Sequence, residues 1–308
     1  MQGSLKTAAV ALAALFVVAA CGGGAGTGTP AAPATAAATA AATTATSTRP
    51  KLELSSYAYG IQTKGKLRVG TREDNVPFGL KSVTTSKFEG FDVDIAREIA
   101  KAIFGNEADI DKFIEYVPVV SATRIPTLNE NKADFVIATF TINEDRKKQI
   151  DFSDVYFNTG QKIMVKKDNT TIKDVKDLNG KRVCSGKGST SEKNITAKAP
   201  QAVLELQDTY PPCLILLQQG RVDAVSTDET ILFGLVKQDP NMKIVGSYFS
   251  DEPYGVGVKK NANNDRTGFV DLINRTIVAM IQDGRWAKFY KQWITPVSGD
   301  EKKTPDQR

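Results

Sequence analysis

The sequence predicts an α/β protein of two lobes, each a mostly parallel sheet flanked by helices, with two strands crossing between them. Three observations predict it. From about residue 60, short apolar strands alternate with helical segments, the order of a parallel, doubly wound sheet. The alternation restarts in the middle of the 308-residue chain, so a single sheet does not account for it. Two segments of similar pattern, Lys162–Lys167 and Gly255–Lys260, both end in Lys-Lys after alternating apolar residues. They read as paired crossings that leave the first lobe discontinuous.

In chain order, Lys6 supplies a weakly basic start, and Ala8 to Ala20 form an uncharged apolar run of thirteen residues. A membrane-spanning helix needs about 20, so residues 1–20 read as a signal peptide. The run ends Val18-Ala19-Ala20-Cys21-Gly22, which resembles the lipobox of bacterial lipoproteins. That resemblance implies lipidation of Cys21; the other reading is a secreted protein cut nearby with Cys21 idle. Residues 21–55 are expected to be a disordered Ala/Thr/Pro tether, since Arg49 is the only charge in residues 22–50 and large apolar side chains are absent there. Such a segment cannot offset its own ordering entropy.

The first part of lobe 1 is expected over 56–158. Lys66-Leu67-Arg68-Val69-Gly70 reads as a strand. Phe91, Ile95, Ile99, Ala102 and Ile103 have helical spacing, with Asp92 and Asp94 favourable to the helix dipole. Ile114 to Val119 is a strand, Arg124 to Asn131 a helix, and Phe135 to Ala138 a buried strand. Lobe 2 is expected over 159–252, with strands at Gln161–Lys167, Lys181–Cys184 and Ala224–Ser226, and helices at Val175–Leu178 and Leu214–Gly220. The chain returns to lobe 1 over 253–296 through the amphipathic Phe269–Ile281 and Trp286–Trp293. Residues 297–308 read as a flexible polar tail.

Composition limits the chemistry. The chain has no histidine, which excludes Ser-His-Asp and Cys-His catalysis and every zinc site needing imidazole. Its 3 cysteines cannot make a four-cysteine metal site, and no metal or cofactor is expected. A formal charge of +5 is small for this length and does not point to nucleic acid. If Cys21 carries lipid, Cys184 and Cys213 remain in an exported compartment, where disulfides persist. They are either two buried thiols or, as expected, a bridge contributing roughly 3–4 kcal/mol on the chain-entropy argument.

Ligands of open α/β sheets bind at carboxyl ends of strands and at helix N-termini. Four such loops stand out: Gly70 to Phe78, Ser121 to Pro126, Ala138 to Lys148, and Lys187 to Glu192. Ser226-Thr227-Asp228-Glu229 follows a fifth strand. With Gly90-Phe91-Asp92-Val93-Asp94-Ile95-Ala96, Ile150-Asp151-Phe152-Ser153-Asp154-Val155-Tyr156 and Gly220-Arg221-Val222-Asp223-Ala224, these loops resemble the amino-acid-binding family of periplasmic solute-binding proteins that serve ABC importers. The resemblance runs over about residues 60 to 295 and is nearest to glutamate/aspartate-binding lipoproteins of actinobacteria. It implies a two-lobed clamp with two crossing hinge strands.

It also implies a ligand set. Arg72 and Arg124 match arginines aimed at a ligand side chain, and Arg146 matches the clamp on the α-carboxylate. Thr139 and Thr141 add backbone and hydroxyl contacts, Asp228 receives the α-ammonium, and Ser189 and Thr190 close over the ligand. Thr209 stands where some relatives place histidine. Independently of the family, three arginines against Asp228 complement the two carboxylates and one ammonium of glutamate. The bland alternatives are Arg72 or Arg124 paired with Glu73 or Asp74, Asp228 as an N-cap, and Ser189 and Thr190 as caps of their helix. Phe78 and Phe140 read as ligand-stacking or core. The function expected is capture of glutamate or aspartate for an ABC permease, by a monomer lipid-anchored at the outer face of the cytoplasmic membrane. An amino-acid sensor signalling to a membrane partner would have the same site. A dehydratase on this scaffold is disfavoured, because Arg72 and Arg124 suit an apolar ring badly and no histidine is available as general acid.

Overall fold

The computed structural model describes residues 49–260 and 267–305. The expected signal peptide, Cys21, residues 22–48 of the expected tether and residues 306–308 of the tail lie outside the described residues. Pro50 and Leu52, at the end of the expected tether, lie against the first lobe: Gln62 Nε2 donates to the Pro50 carbonyl at 3.0 Å, and Leu52 packs on the core.

The first lobe is built on a five-stranded sheet. Strands Ile114–Pro118, Leu67–Thr71 and Phe135–Val136 run parallel, Gly257–Lys259 is antiparallel to Phe135–Val136, and Ile150–Phe152 at the edge is antiparallel to Gly257–Lys259. Helix Phe91–Phe104 presents Ile95, Ile99 and Ile103 to this sheet at the spacing read from the sequence, all fully buried. Helix Thr267–Gln282 adds Phe269, Ile273, Ile277 and Met280 to the same core. Trp286 seals it, its indole donating to the Tyr156 carbonyl at 2.8 Å. Burying each such side chain stabilises the lobe by about 1.5–3 kcal/mol, so the C-terminal helices are an integral part of it. The sequence reading passed over the helix Tyr57–Lys64 and a small sheet of Asp74–Asn75, Gly79–Lys81 and Phe88–Glu89.

The second lobe repeats the plan. Val203–Gln207, Arg182–Gly186 and Ala224–Asp228 are parallel, while the long strand Phe157–Lys166 is antiparallel to Ala224–Asp228 and to Met242–Val245. A disulfide joins Cys184 on a central strand to Cys213 on helix Pro211–Gln218, with Cα atoms 5.5 Å apart.

Two crossing strands are present, but their pairing corrects the sequence expectation. Phe157 to Gly160 pair with Asp251–Tyr254. Lys162 to Val165 instead lie inside the second sheet, and Gly257–Lys259 inside the first. An apolar run ending in Lys-Lys marks a strand that is buried until it reaches the surface: Ile163, Met164 and Val165 are all buried, as are Val256 and Val258. It does not encode which neighbour supplies the hydrogen bonds, and the pairing falls on the residues just before each alternating run.

The lobes touch across the cleft. Gly234, inside helix Glu229–Gln238 of the second lobe, lies so close to the first that a Cβ there would sit 1.9 Å from the Val76 carbonyl oxygen. Glycine inside a helix costs about 0.5–1 kcal/mol relative to alanine; here it permits the contact. Gly188, at φ 71°, brings the loop before helix Thr190–Lys198 against Ala122, where a Cβ would lie 2.9 Å from Cα.

Candidate functional site

The carboxyl ends of the strands from both lobes converge on this cleft. Arg72 follows Leu67–Thr71, and Arg124 opens the helix after Ile114–Pro118. Thr139 to Thr141 follow Phe135–Val136, and Arg146 lies on the short helix Glu144–Lys147, capped by the Asn143 side chain at 3.0 Å. From the second lobe, Asp228 ends Ala224–Asp228, and Ser189 and Thr190 open helix Thr190–Lys198. All eight sequence-derived residues except Thr190 are buried.

The first lobe supplies the cations. Arg124 Nη1 donates to the carbonyls of Ala138 and Thr139 at 3.0 and 2.9 Å, and Arg146 Nη1 donates to the Thr141 carbonyl at 2.6 Å. The Phe140 ring lies under both guanidiniums, 4.4 and 5.0 Å from centroid to carbon. Neutral carbonyls and a ring face orient these groups without cancelling their charge. Burial pulls the Arg124 guanidinium down to about 9, with Arg146 and Arg72 adding repulsion. Burial also lowers Arg146, against the attraction of Glu252 and Asp228.

Thr139 holds a left-handed backbone, φ 46°, which is costly for a β-branched residue, on the order of 1–3 kcal/mol. Its amide donates to Asp92 Oδ2 at 2.8 Å and its carbonyl accepts from Arg124, so both ends of the strained peptide are fixed. Asp92 also accepts from the Tyr156 hydroxyl at 2.7 Å, and burial pushes its carboxyl up to about 7.

Arg72 differs from the other two. Asp74 binds it through two hydrogen bonds, Nε to Oδ1 at 3.0 Å and Nη2 to Oδ2 at 2.7 Å. Tyr210 of the second lobe lies 5.4 Å from its guanidinium carbon. Of the open alternatives for this residue, the Asp74 pairing is the one observed; Arg124 pairs with neither Glu73 nor Asp74.

The second lobe and the hinge supply the acids. The Asp228 side chain does not cap its helix but points back into the cleft. Its Oδ2 accepts from the Tyr254 hydroxyl at 2.6 Å and its Oδ1 from Ser191 Oγ at 3.4 Å. Burial, then the charge of Glu252, push its carboxyl up to about 7. Ser189 does cap its helix, accepting from the Glu192 amide at 3.1 Å. Thr190 Oγ1 donates to Glu252 Oε2 at 2.7 Å, and Thr141 Oγ1, from the opposite lobe, donates to the same oxygen at 2.7 Å.

Glu252 is the residue that sequence reasoning missed. It is 1% exposed on the hinge strand and accepts also from Asn194 and Ser250, at 2.9 and 2.7 Å. A signal was available: Glu252 and Tyr254 alternate along one strand, so the glutamate shares the inward face of a buried tyrosine. Asn75 was likewise passed over. Its side chain is buried, Nδ2 lies 3.5 Å from Thr139 Oγ1, and Oδ1 has no hydrogen-bond partner among the described residues.

Buried cations on one wall and buried acids on the other suit a small zwitterion. Comparison with known proteins agrees with that chemistry. Residues 67–296 match the sequence profile of the bacterial extracellular solute-binding proteins, family 3. The chain is 43% identical over 236 residues to the ABC transporter glutamine-binding protein GlnH of Bacillus subtilis, covering 76% of this chain and 83% of that one. It is 34% identical over 231 residues to the glutamate-binding protein GluB of Corynebacterium glutamicum, covering 73% and 77%. A solved structure of an ancestral arginine-binding protein bound to glutamine superposes with a TM-score of 0.67 at 42% identity, covering 74% of this chain and 97% of that one.

Proposed function

The chain belongs to the bacterial extracellular solute-binding proteins, family 3, and from that premise we propose that it captures an amino acid with an uncharged polar side chain, glutamine foremost, for an ABC permease. The observation that carries the side-chain reading is the Arg72–Asp74 pair. With Arg72 neutralised, Arg124 and Arg146 stand against Asp228 and Glu252. A zwitterion inserted among these four charges keeps their sum at zero, with its α-carboxylate at Arg146 and its ammonium at Asp228. A second ligand carboxylate would add a negative charge where burial makes charge costly. Asp92 would strengthen that bias. The unpartnered Asn75 Oδ1 suits a ligand amide N–H, which a carboxylate lacks.

An acidic ligand, the sequence expectation, is the second reading. Arg124 supports it, because carbonyls alone hold its charge, and so does the likeness to a glutamate-binding relative. Thr139, Thr141, Ser189 and Thr190 serve either reading as backbone and hydroxyl contacts. The proposal retains the lobe boundaries 56–158, 159–252 and 253–296, the lipid on Cys21, the outer face of the cytoplasmic membrane as location, and a monomer. Among the described residues no helix is long and apolar enough to cross a membrane. Transport rather than sensing is the reading that the named relatives favour.

Calorimetric titration with glutamine, glutamate, aspartate, asparagine and arginine tests the ligand. Glutamine should bind at least about tenfold more tightly than glutamate. Tighter glutamate binding would move the assignment to the acidic reading, and no binding by any of them would overturn both. Mass spectrometry of the mature N-terminus tests the anchor; an unmodified terminus cut elsewhere would remove it.

A further inference from the structure

We propose that Asp74 is a specificity-determining residue: it masks the charge of Arg72 and thereby turns the cleft from acidic toward neutral polar side chains. The proposal rests on the reading of the cleft as an amino-acid site. Arg72 and Asp74 lie on either side of a bend at Glu73, and their side chains meet there. The arginine side chain is 2% exposed and the aspartate 16%, so water screens their attraction poorly. Both oxygens of Asp74 are engaged, in the bidentate geometry that arginine and carboxylate prefer.

The position of the pair gives it a consequence beyond folding. Arg72 lies at the carboxyl end of a central strand, where ligands of such sheets sit. Its guanidinium faces Tyr210, whose hydroxyl accepts from Thr227 at 2.8 Å, next to Asp228. Asp74 belongs to a two-residue strand that pairs with Gly79–Lys81, so the small sheet holds the carboxylate in place. A bare Arg72 would offer a buried cation to a ligand carboxylate. With Asp74 attached, the pair presents a dipole, which an amide can meet and a second carboxylate cannot.

The test is a double-mutant cycle read by calorimetry at pH 7.5 with glutamine and glutamate. Asp74→Asn preserves shape and removes the mask. The ratio Kd(glutamate)/Kd(glutamine) should fall by about tenfold or more, the effect of a few-ångström charge interaction in a partly buried site. Adding Arg72→Gln to that variant should return the ratio to near its wild-type value. An unchanged ratio in Asp74→Asn, with glutamine still bound and the melting temperature preserved, overturns the mask while leaving the ligand reading intact. A wild type that already prefers glutamate overturns the neutral-ligand reading, yet a tenfold shift of the ratio would still support the mask. Should the wild type bind neither ligand, both fall.

Discussion

The first-lobe wall of the cleft holds Arg124 and Arg146 with backbone carbonyls, whereas the wall formed by the second lobe and the hinge holds Asp228 and Glu252 with hydroxyls and an amide. Carbonyls fix a guanidinium in direction and leave its charge intact. Hydroxyls replace water around a carboxylate only in part, so Asp228 still sits near neutrality with its carboxyl at about 7. Each wall therefore carries an unsatisfied preference for the opposite charge, and a zwitterion answers both. Arg72 is the exception on its own wall, and that exception bears on selectivity.

The largest expected effect comes from breaking the cation wall. Arg146→Ala should weaken every amino acid by more than about a hundredfold, since removing one member of a buried pair costs roughly 3–5 kcal/mol. Calorimetry against a panel of amino acids checks this; a loss confined to one side-chain class would assign Arg146 to the side chain instead of the α-carboxylate.

The acid wall is tested by pH. A ligand ammonium beside Asp228 lowers its raised pKa, so binding below about pH 7 must expel a proton. Kd should then rise as pH falls, by up to about tenfold per unit. Asp228→Asn should flatten that slope as well as weaken binding. A slope that survives would point to Asp92, which burial also pushes to about 7. A pH-independent wild type would place the ammonium elsewhere.

Glu252→Gln probes the seam between the walls. The amide presents N–H to hydroxyls that now donate to a carboxylate, a mismatch of about 1–3 kcal/mol. A loss in affinity of roughly tenfold, carried mainly by a faster off-rate, is expected in stopped-flow measurements. The smallest effect on affinity should come from reducing Cys184–Cys213, which lies behind the second sheet. Kd should stay within about twofold, while the melting temperature falls by roughly 7–14 °C for a bridge worth about 3.5 kcal/mol.

Much of this was legible in the sequence because it follows from local chemistry. The period of Phe91, Ile95, Ile99 and Ile103 specifies a helix and its buried face. The loops after each strand, together with the family resemblance, pointed to Arg72, Arg124, Arg146 and Asp228, which the fold brings to one cleft. Pairing partners were not legible: Gly255–Lys260 and Lys162–Lys167 look alike because both are buried runs that surface at a lysine pair, and they lie in different sheets. Glu252 escaped because no motif surrounds it; only its alternation with Tyr254 marks it. The state of Arg72 is an open choice among neighbours in the sequence, and only three-dimensional placement resolves it to Asp74.

Gly234 sets how far the lobes can approach, because its missing side chain is what lets the Val76 carbonyl come so near. An alanine there would act as a doorstop. It would touch no ligand and alter no charge, yet the shut arrangement would become a minority state. Apparent affinity would drop for every ligand by the same factor, the inverse of the shut fraction. One methyl group in a helix would thus change the gain of the receptor and leave its selectivity unaltered.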